Sequence, residues 1–209
     1  MKTAERILIT TLELFNEHGE SNVSCVDIAM ELDISPGNLY YHYKGKEVMV
    51  VALFEMYKER MSKILTSSDD ADLKIEDFFY FLLMVLQSSH LFRFLYHNPA
   101  DLMSKYPSIQ RGFKKLLKTQ ENSFNLLLSR YVAQEQMTMN ASQQHHLVQL
   151  IVMVFTQATN YYLLKGEDIE NEEYIYQCLG DVLFALTPYM KIEETALESL
   201  YKMIESEEL

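Results

Sequence analysis

The chain has 209 residues, 48% of them hydrophobic and 23% charged, with a formal net charge of −12. That length accommodates a small domain plus a larger one with a sizeable core, and the composition is that of a globular protein rather than a disordered or fibrous one. No apolar run approaches the eighteen or so residues of a membrane span, the amino terminus lacks the apolar core of a secretory signal, and the two cysteines, Cys25 and Cys178, lie too far apart in sequence to imply a disulfide framework or a metal site; a reduced cytoplasm and no membrane partner are expected.

Ala4, Ile7, Leu8, Thr11 and Phe15 recur at spacings of three and four, which predicts an amphipathic helix over residues 1–18, with Thr3 as a cap and Gly19 as the stop. Lys2 and Arg6 on this helix either reach phosphates or are merely solvated. Ser24 caps a predicted short helix over 25–32, with Ile28, Ala29 and Leu32 on one face. Asp33 and Ile34 make a short turn, after which Ser35 caps another helix with Pro36 at its first position, where the missing N–H costs nothing. Leu39 and Tyr43, four apart, can bury one face of that helix. Asn38, Tyr40, Tyr41 and His42 occupy the other. Gly45 is suited to ending the helix in a left-handed conformation, with Lys44 and Lys46 on either side. Helix, short turn, helix is the helix-turn-helix, whose second helix enters the major groove. A surface of hydroxyls and amides with two flanking cations suits a phosphate backbone and a groove.

A long helix follows from residue 46 to about 65, with Val50, Leu53, Phe54, Tyr57, Met61 and Ile64 as its stripe, and residues 66–72 read as a polar loop. Residues 73–95 are apolar almost all round and so predict a largely buried helix, broken at His97-Asn98-Pro99. Further helices are expected over 100–105, 107–134, 141–165 with Asn140 as cap and Gly166 as stop, 171–186 before Pro188, and 192–206. No segment shows strand alternation with hairpin turns. The expected fold is all-α: a three-helix helix-turn-helix DNA-binding domain over 1–47, and a larger helical ligand-binding and dimerisation domain over 48–209. A continuous helix leading out of the first domain is a stiff connector that a Gly/Ser linker could not imitate.

Residues 6–46 resemble the DNA-binding domain of TetR-type transcriptional repressors. The matching residues are Ile7-Leu8, Leu14-Phe15 followed by Gly19, Val26, Ile28-Ala29, and the run Ile34-Ser35-Pro36-Gly37-Asn38-Leu39-Tyr40-Tyr41-His42-Tyr43-Lys44 with Lys46-Glu47. The run is long, ordered and placed at the start of the chain, as in that family; beyond this first quarter only the helical character matches. The resemblance implies a homodimeric regulator, a repressor rather than an enzyme, that binds a palindromic operator in double-stranded DNA, needs no cofactor, and is released by a small apolar or aromatic ligand. It carries over Asn38, Tyr40, His42 and Lys46 as DNA contacts: Tyr40 and His42 to phosphate oxygens, Lys46 as a positive charge near the backbone, and Asn38 to phosphate or base. Ser35 and Lys44 belong to the same surface. Pro36, Gly37 and Tyr41 face the groove, where a small or aromatic group can touch a thymine methyl; packing on the preceding helix is the other reading of Tyr41. Ser24, Cys25 and Val26 stand where the first motif helix often meets DNA, and Val26 departs from the frequent polar choice there.

The charge balance is unusual for such a role. Residues 1–60 carry six Lys and Arg against ten Asp and Glu, so the cationic footprint must be local, drawn from Lys44, Lys46, Lys2 and Arg6. The chain as a whole has 14 Tyr, 11 Phe and 12 Met, and the second domain has the adaptable apolar material of a sensor. Phe81, Met84, Phe94, Met103, Phe113, Phe124 and Phe155 are the candidate walls of a ligand chamber, and Asn160 and Tyr162 its candidate polar contacts; ordinary core packing accounts for any one of them equally well. Residues 141–165 and 171–187 carry more apolar surface than a single core needs, and in resembling proteins the last two long helices pair with their mates in a four-helix dimer interface. The alternative function is a DNA-binding regulator with no effector, whose larger domain serves only dimerisation or partner binding. His145-His146 point apart on a helix, while His90 and His97, two turns apart near Arg93, make a metal pair conceivable; no metal is expected. There is no Gly-rich phosphate loop and no nucleophile elbow. Cys25, at a helix start, is either a redox-responsive thiol or an inert one.

Overall fold

The computed structural model describes residues 2–66 and 74–206, so the expected loop lies, apart from Thr66, outside the described residues. The described helices are α1 (Thr3–His18), α2 (Cys25–Glu31), α3 (Pro36–His42), α4 (Lys46–Thr66), α5 (Ile75–Leu91), α6 (Phe94–His97), α7 (Pro99–Lys105), α8 (Pro107–Ala133), α9 (Ala141–Lys165), α10 (Glu173–Leu186) and α11 (Glu194–Glu205). Among the described residues the one extended pairing is an isolated antiparallel bridge between Met137 and Met190. The fold is all-α, as expected.

The chain divides into two compact units that do not follow the expected boundary at 47/48: Met1–Arg60 with Leu91–Phe113, and Met61–His90 with Lys114–Leu209. Two sets of contacts in the first unit explain the difference. Met49, Val50, Leu53, Phe54 and Tyr57 of α4 are fully buried there, with the Met49 sulfur accepting from the Thr11 hydroxyl of α1 at 3.6 Å. The segment containing α6, α7 and the first turns of α8, placed by sequence in the second domain, supplies aromatic partners to the same core. Phe94 lies 5.3 Å from Phe15, and Tyr57 lies 5.4 Å from Phe92 and 6.1 Å from Tyr96, with the two tyrosine hydroxyls bonded at 2.6 Å.

The end of α5 is decided by a side chain far away in sequence. The apolar run through residue 95 predicted an unbroken helix, yet α5 stops at Leu91. The Asn16 amide of α1 donates to the Leu91 carbonyl at 2.9 Å, and the Phe94 N–H donates to the Asn16 oxygen at 3.0 Å. One amide thus satisfies a carbonyl and an N–H on either side of the break. Smaller departures occur at other ends. Lys2 precedes α1, with the Glu5 carboxylate accepting its N–H at 3.3 Å, so Thr3 is inside the helix rather than capping it. The α3 helix closes at an extended Tyr43, and Gly45, at φ +129°, shapes the approach to α4 instead of ending α3.

In the second unit an aromatic row joins α5, α8 and α9: Phe81 is 5.6 Å from Phe124, which is 5.9 Å from Phe155. The Tyr174 hydroxyl of α10 meets His90 Nδ1 at 3.1 Å and the Thr159 hydroxyl at 3.4 Å, which commits His90 to the interior of this unit. Asn140 and Gln143 form a reciprocal cap on α9, and Gly166, at φ +80°, ends it. The α9 helix is long and apolar enough to cross a membrane, with a mean hydropathy of 1.4 over its best window, which corrects the expectation that no such run exists. Its Leu147, Ile151, Phe155 and Tyr162 are buried within its own unit.

Gly112, near the start of α8, faces Phe54 so closely that a β-carbon there would sit 2.2 Å from the ring. Phe54 is fully buried and also packs on Phe113 at 5.0 Å, so it has little room to yield. Gly112→Ala is expected to destabilise the protein by about 1–3 kcal/mol through overpacking, read as a lower midpoint in chemical denaturation.

Candidate nucleic-acid interface

The helix-turn-helix is assembled from local hydrogen bonds. The Ser24 hydroxyl accepts from the N–H groups of Val26 (3.2 Å) and Asp27 (3.3 Å), while the Asp27 carboxylate accepts from both the N–H and the hydroxyl of Ser24 at 2.7 Å. These bonds from Ser24 hold the Asp27 carboxyl below its usual pKa. At the other end of α2, Asp33 adopts a left-handed φ of +52°; its N–H donates to the Met30 carbonyl and the Ile34 N–H to the Ala29 carbonyl, both at 3.0 Å. Ser35 then caps α3 by accepting the Asn38 N–H at 3.2 Å, and Pro36 takes the first helical position. Leu39 is the single buried side chain of α3, and the Tyr43 hydroxyl just after it donates to the Ala4 carbonyl of α1 at 3.1 Å.

This anchoring leaves Pro36, Gly37, Asn38, Tyr40 and Tyr41 exposed and His42 half-buried. Tyr41 is 76% exposed, so it does not pack on the preceding helix; its ring meets His42 edge-on at 5.2 Å. The Lys44 ammonium lies 5.0 Å from the centre of the Tyr40 ring, which holds a cation beside a phenol hydroxyl. On α2, Ser24 and Val26 are also exposed, with the Ser24 hydroxyl already engaged in its cap. Cys25 is half-buried between them.

Lys46 is placed differently from the expectation that it presents its charge to DNA. Its ammonium donates to the carbonyls of Glu20 (2.8 Å) and Val23 (3.0 Å) and pairs with the Glu20 carboxylate at 2.9 Å. Three acceptors in the turn after α1 satisfy its three protons, which commits the side chain to the protein.

Glu20 was not singled out by the sequence, since it sits in a short polar turn without a motif. It is a buried carboxylate in the first unit. Besides Lys46 it accepts from the Tyr106 hydroxyl at 2.7 Å and from Lys105 at 3.3 Å, and Lys105 also pairs with Asp101 at 2.7 Å. Burial alone would raise the Glu20 pKa; the hydrogen bonds from Tyr106 and Lys46 and the charges of Lys46 and Lys105 outweigh it and hold the carboxyl below its usual value. Burial, and then the Glu20 carboxylate, push the Tyr106 hydroxyl above its usual pKa.

The candidate ligand residues do not gather in one place. Phe94, Met103 and Phe113 belong to the first unit, where Phe94 meets Phe15 and Phe113 meets Phe54 and Tyr96. Phe81, Phe124 and Phe155 form the aromatic row of the second unit; Tyr162 packs on Tyr174 at 5.6 Å, and Asn160 is half-buried. Met84 is 41% exposed and is not an interior wall: the apolar composition of α5 concealed that Tyr80 and Met84, four apart, form an outward stripe. Cys178 is buried, and burial followed by the Asp181 charge pushes its thiol up to about 12, which makes it unreactive. The outer faces of α9 and α10 expose Met153, Tyr161, Leu163, Leu164 and Phe184, the last at 75%. A shallow groove of about 310 Å³ runs beside them, lined by Leu147, Leu150, Val154, Asp181, Phe184 and neighbouring residues.

Comparison with known proteins adds to this geometry. A family model described as bacterial regulatory proteins, tetR family, matches residues 7–53, and one described as bacterial transcriptional repressor matches residues 56–197. The HTH-type transcriptional regulator UidR of Escherichia coli strain K12 is 38% identical over 58 residues, which is 28% of this chain and 30% of that protein. The match therefore spans less than a third of that relative's length. Among solved structures, a TetR-family transcriptional regulator from Marinobacter aquaeolei VT8 superposes with a TM-score of 0.85 at 25% identity, covering 98% of this chain and 99% of the other. The ketosteroid transcriptional regulator KstR2 of Mycobacterium tuberculosis shares the fold, with a TM-score of 0.66 at 16% identity over 91% of this chain and 96% of its own.

The Glu20 network gives a testable pH dependence. A carboxyl whose pKa is lower in the folded state than its ordinary 4.5 contributes stability above that value and loses it as pH falls through the folded pKa. Glu20→Gln is expected to lower stability at neutral pH and to flatten the acid limb of a stability–pH curve. Tyr106→Phe, which removes one donor to the buried carboxylate, should cost about 1–3 kcal/mol. Urea denaturation from neutral to acid pH measures both.

Proposed function

The chain belongs to the TetR family of bacterial transcriptional regulators, DNA-binding proteins and not enzymes, and from that premise we propose that it is a repressor that binds a palindromic operator as a homodimer and is released by a small apolar or aromatic ligand. The observation that carries the reading is α3: a helix with both ends fixed and one buried anchor, Leu39, that offers Asn38, Tyr40 and Tyr41 to solvent. In this reading Tyr40 and His42 bond phosphate oxygens, and Lys44, held over the Tyr40 ring, supplies a charge beside them. Asn38 and Tyr41, with Pro36 and Gly37 between the cap and the groove, meet base edges and thymine methyls. Val26 makes an apolar contact from α2. Ser24 and Ser35 act through their caps, and Lys46 acts by fixing the start of α4. DNA reading resides in residues 1–47, and effector binding and dimerisation in 48–209, with the protein working in the cytoplasm.

The dimer is built on α9 and α10. Leu164 and Phe184 are 87% and 75% exposed in the single chain, and with Met153, Tyr161 and Leu163 they form an apolar surface that a second copy would cover. A two-fold assembly places two copies of α3 on one face of the duplex, a helical turn or more apart. Release by ligand follows if the ligand binds one arrangement of the dimer better than the other. A second reading, a regulator without an effector, is favoured by the edge-on packing of Phe81, Phe124 and Phe155 on one another, which is the arrangement of a filled core.

Selection of bound duplexes from random DNA should return a palindrome with half-sites at one-turn spacing. Tyr40→Ala and Tyr41→Ala should each weaken binding to it by about tenfold or more without changing the melting temperature. Phe184→Glu should give a monomer in sedimentation and lose the palindrome while keeping its helical content. Failure to bind any duplex at low salt would refute the function. An operator complex that no apolar ligand releases would leave the second reading.

A further inference from the structure

Arg93 and His97 stand one helical turn apart, Arg93 as the residue before α6 and His97 as its last, so their β-carbons are about 6 Å apart on one face. Both side chains are half-buried, and Arg93 Nε and His97 Nε2 are buried polar atoms with no hydrogen-bond partner among the described residues. Native proteins rarely leave such groups unpaired, and a buried guanidinium N–H is among the costliest to leave so. The chain has 30 Asp and Glu against 18 Lys and Arg, yet none of the described carboxylates pairs with Arg93. Burial, and then the Arg93 charge, hold the His97 imidazole below its usual pKa.

We propose that Arg93 and His97 form the receptor for the carboxylate of a small organic acid with an apolar body. Arg93 Nε–H donates, and so does His97 Nε2 when the neutral ring carries its proton there, so a single carboxylate can accept from both groups. Phe92, Phe94, Leu95 and Tyr96, interleaved with the pair, are buried in the core of the first unit, so the pair has apolar surroundings, which suit a weakly hydrated, singly charged carboxylate better than a strongly hydrated phosphate. The binding site stands on the two unpaired groups alone; its regulatory consequence rests on the reading of the chain as a ligand-released repressor. That consequence has a route within the first unit. The chain just before and after Arg93 is bonded to Asn16 of α1 through Leu91 and Phe94, so an acid that repositions Arg93 acts on the segment that α1 holds.

The test uses the full-length protein and three acids, acetate, benzoate and octanoate, each beside its neutral alcohol and beside sodium phosphate at equal ionic strength. Long-range proton–nitrogen spectra follow the His97 imidazole, assigned with His97→Gln, and calorimetry follows affinity. At least one acid is expected to shift the His97 resonances saturably by ~10 mM, where a millimolar site is filled, while its alcohol and phosphate do not. Arg93→Gln should weaken that acid about tenfold or more, with Arg93→Lys in between, and both variants should keep the wild-type melting temperature in the absence of ligand. Silence of His97 toward all three acids, equal binding of acid and alcohol, or undiminished binding to Arg93→Gln overturns the proposal. The selected operator duplex separates the two readings. Acid binding that leaves operator affinity unchanged keeps the site and removes ligand release from the function, whereas release by a neutral ligand with His97 silent keeps the function and removes the site.

Discussion

A carboxylate out of water must be neutralised by its surroundings, and Glu20 shows how much structure that requirement can fix. Its two oxygens draw in the Tyr106 hydroxyl and the ammonium groups of Lys46 and Lys105, which come from elements 26 and more than 80 residues further along the chain. A buried ion of this kind is poor as a source of net stability and strong as a constraint, because each partner lost leaves charge uncompensated. Lys46 begins α4, and α3 ends only a few residues before it. The position of the helix proposed to read DNA is therefore tied to a salt-bridge cluster within the protein, and the segment carrying α7 is tied to the same cluster.

The polar cluster and the aromatic core of the first unit do complementary jobs. Phe15, Phe54, Tyr57, Phe92, Phe94 and Tyr96 supply the apolar burial, but rings tolerate small slides and rotations. Asn16 and Glu20 remove that freedom, since a hydrogen bond misplaced by half an ångström is largely lost. The combination explains why residues 91–113 pack as part of the unit containing the helix-turn-helix, although their sequence looks like more of the second domain.

What could be read in the sequence was what is local. Ser24, Ser35, Pro36, Asn140 and Gly166 act within four residues of themselves, and each does in the structure what its type and position suggested. Leu39 as the buried anchor of α3 followed from spacing alone. What could not be read depends on partners brought together by folding. Nothing near Leu91 indicates that an amide 75 residues earlier will end its helix, and nothing near Lys46 distinguishes a lysine aimed at phosphate from one turned toward Glu20. Met84 illustrates a limit of composition: in a helix apolar on nearly every face, the exposed stripe has no polar residues to mark it. The exposure of Asn38, Tyr40 and Tyr41 belongs with what is local, because it follows from their places around the buried Leu39 on one short helix.

The inward turn of Lys46 has a consequence for the thermodynamics of any DNA complex. Each lysine or arginine that neutralises a phosphate releases condensed counterions, and their number sets the slope of log affinity against log salt. With Lys46 and Lys105 occupied by Glu20, the proposed complex would hold the backbone mainly through tyrosine hydroxyls, amides and the cations that Glu20 leaves free. That complex should therefore fade only gently as ionic strength rises, and an acidic protein can keep its grip on one sequence without being drawn to the polyanion everywhere else.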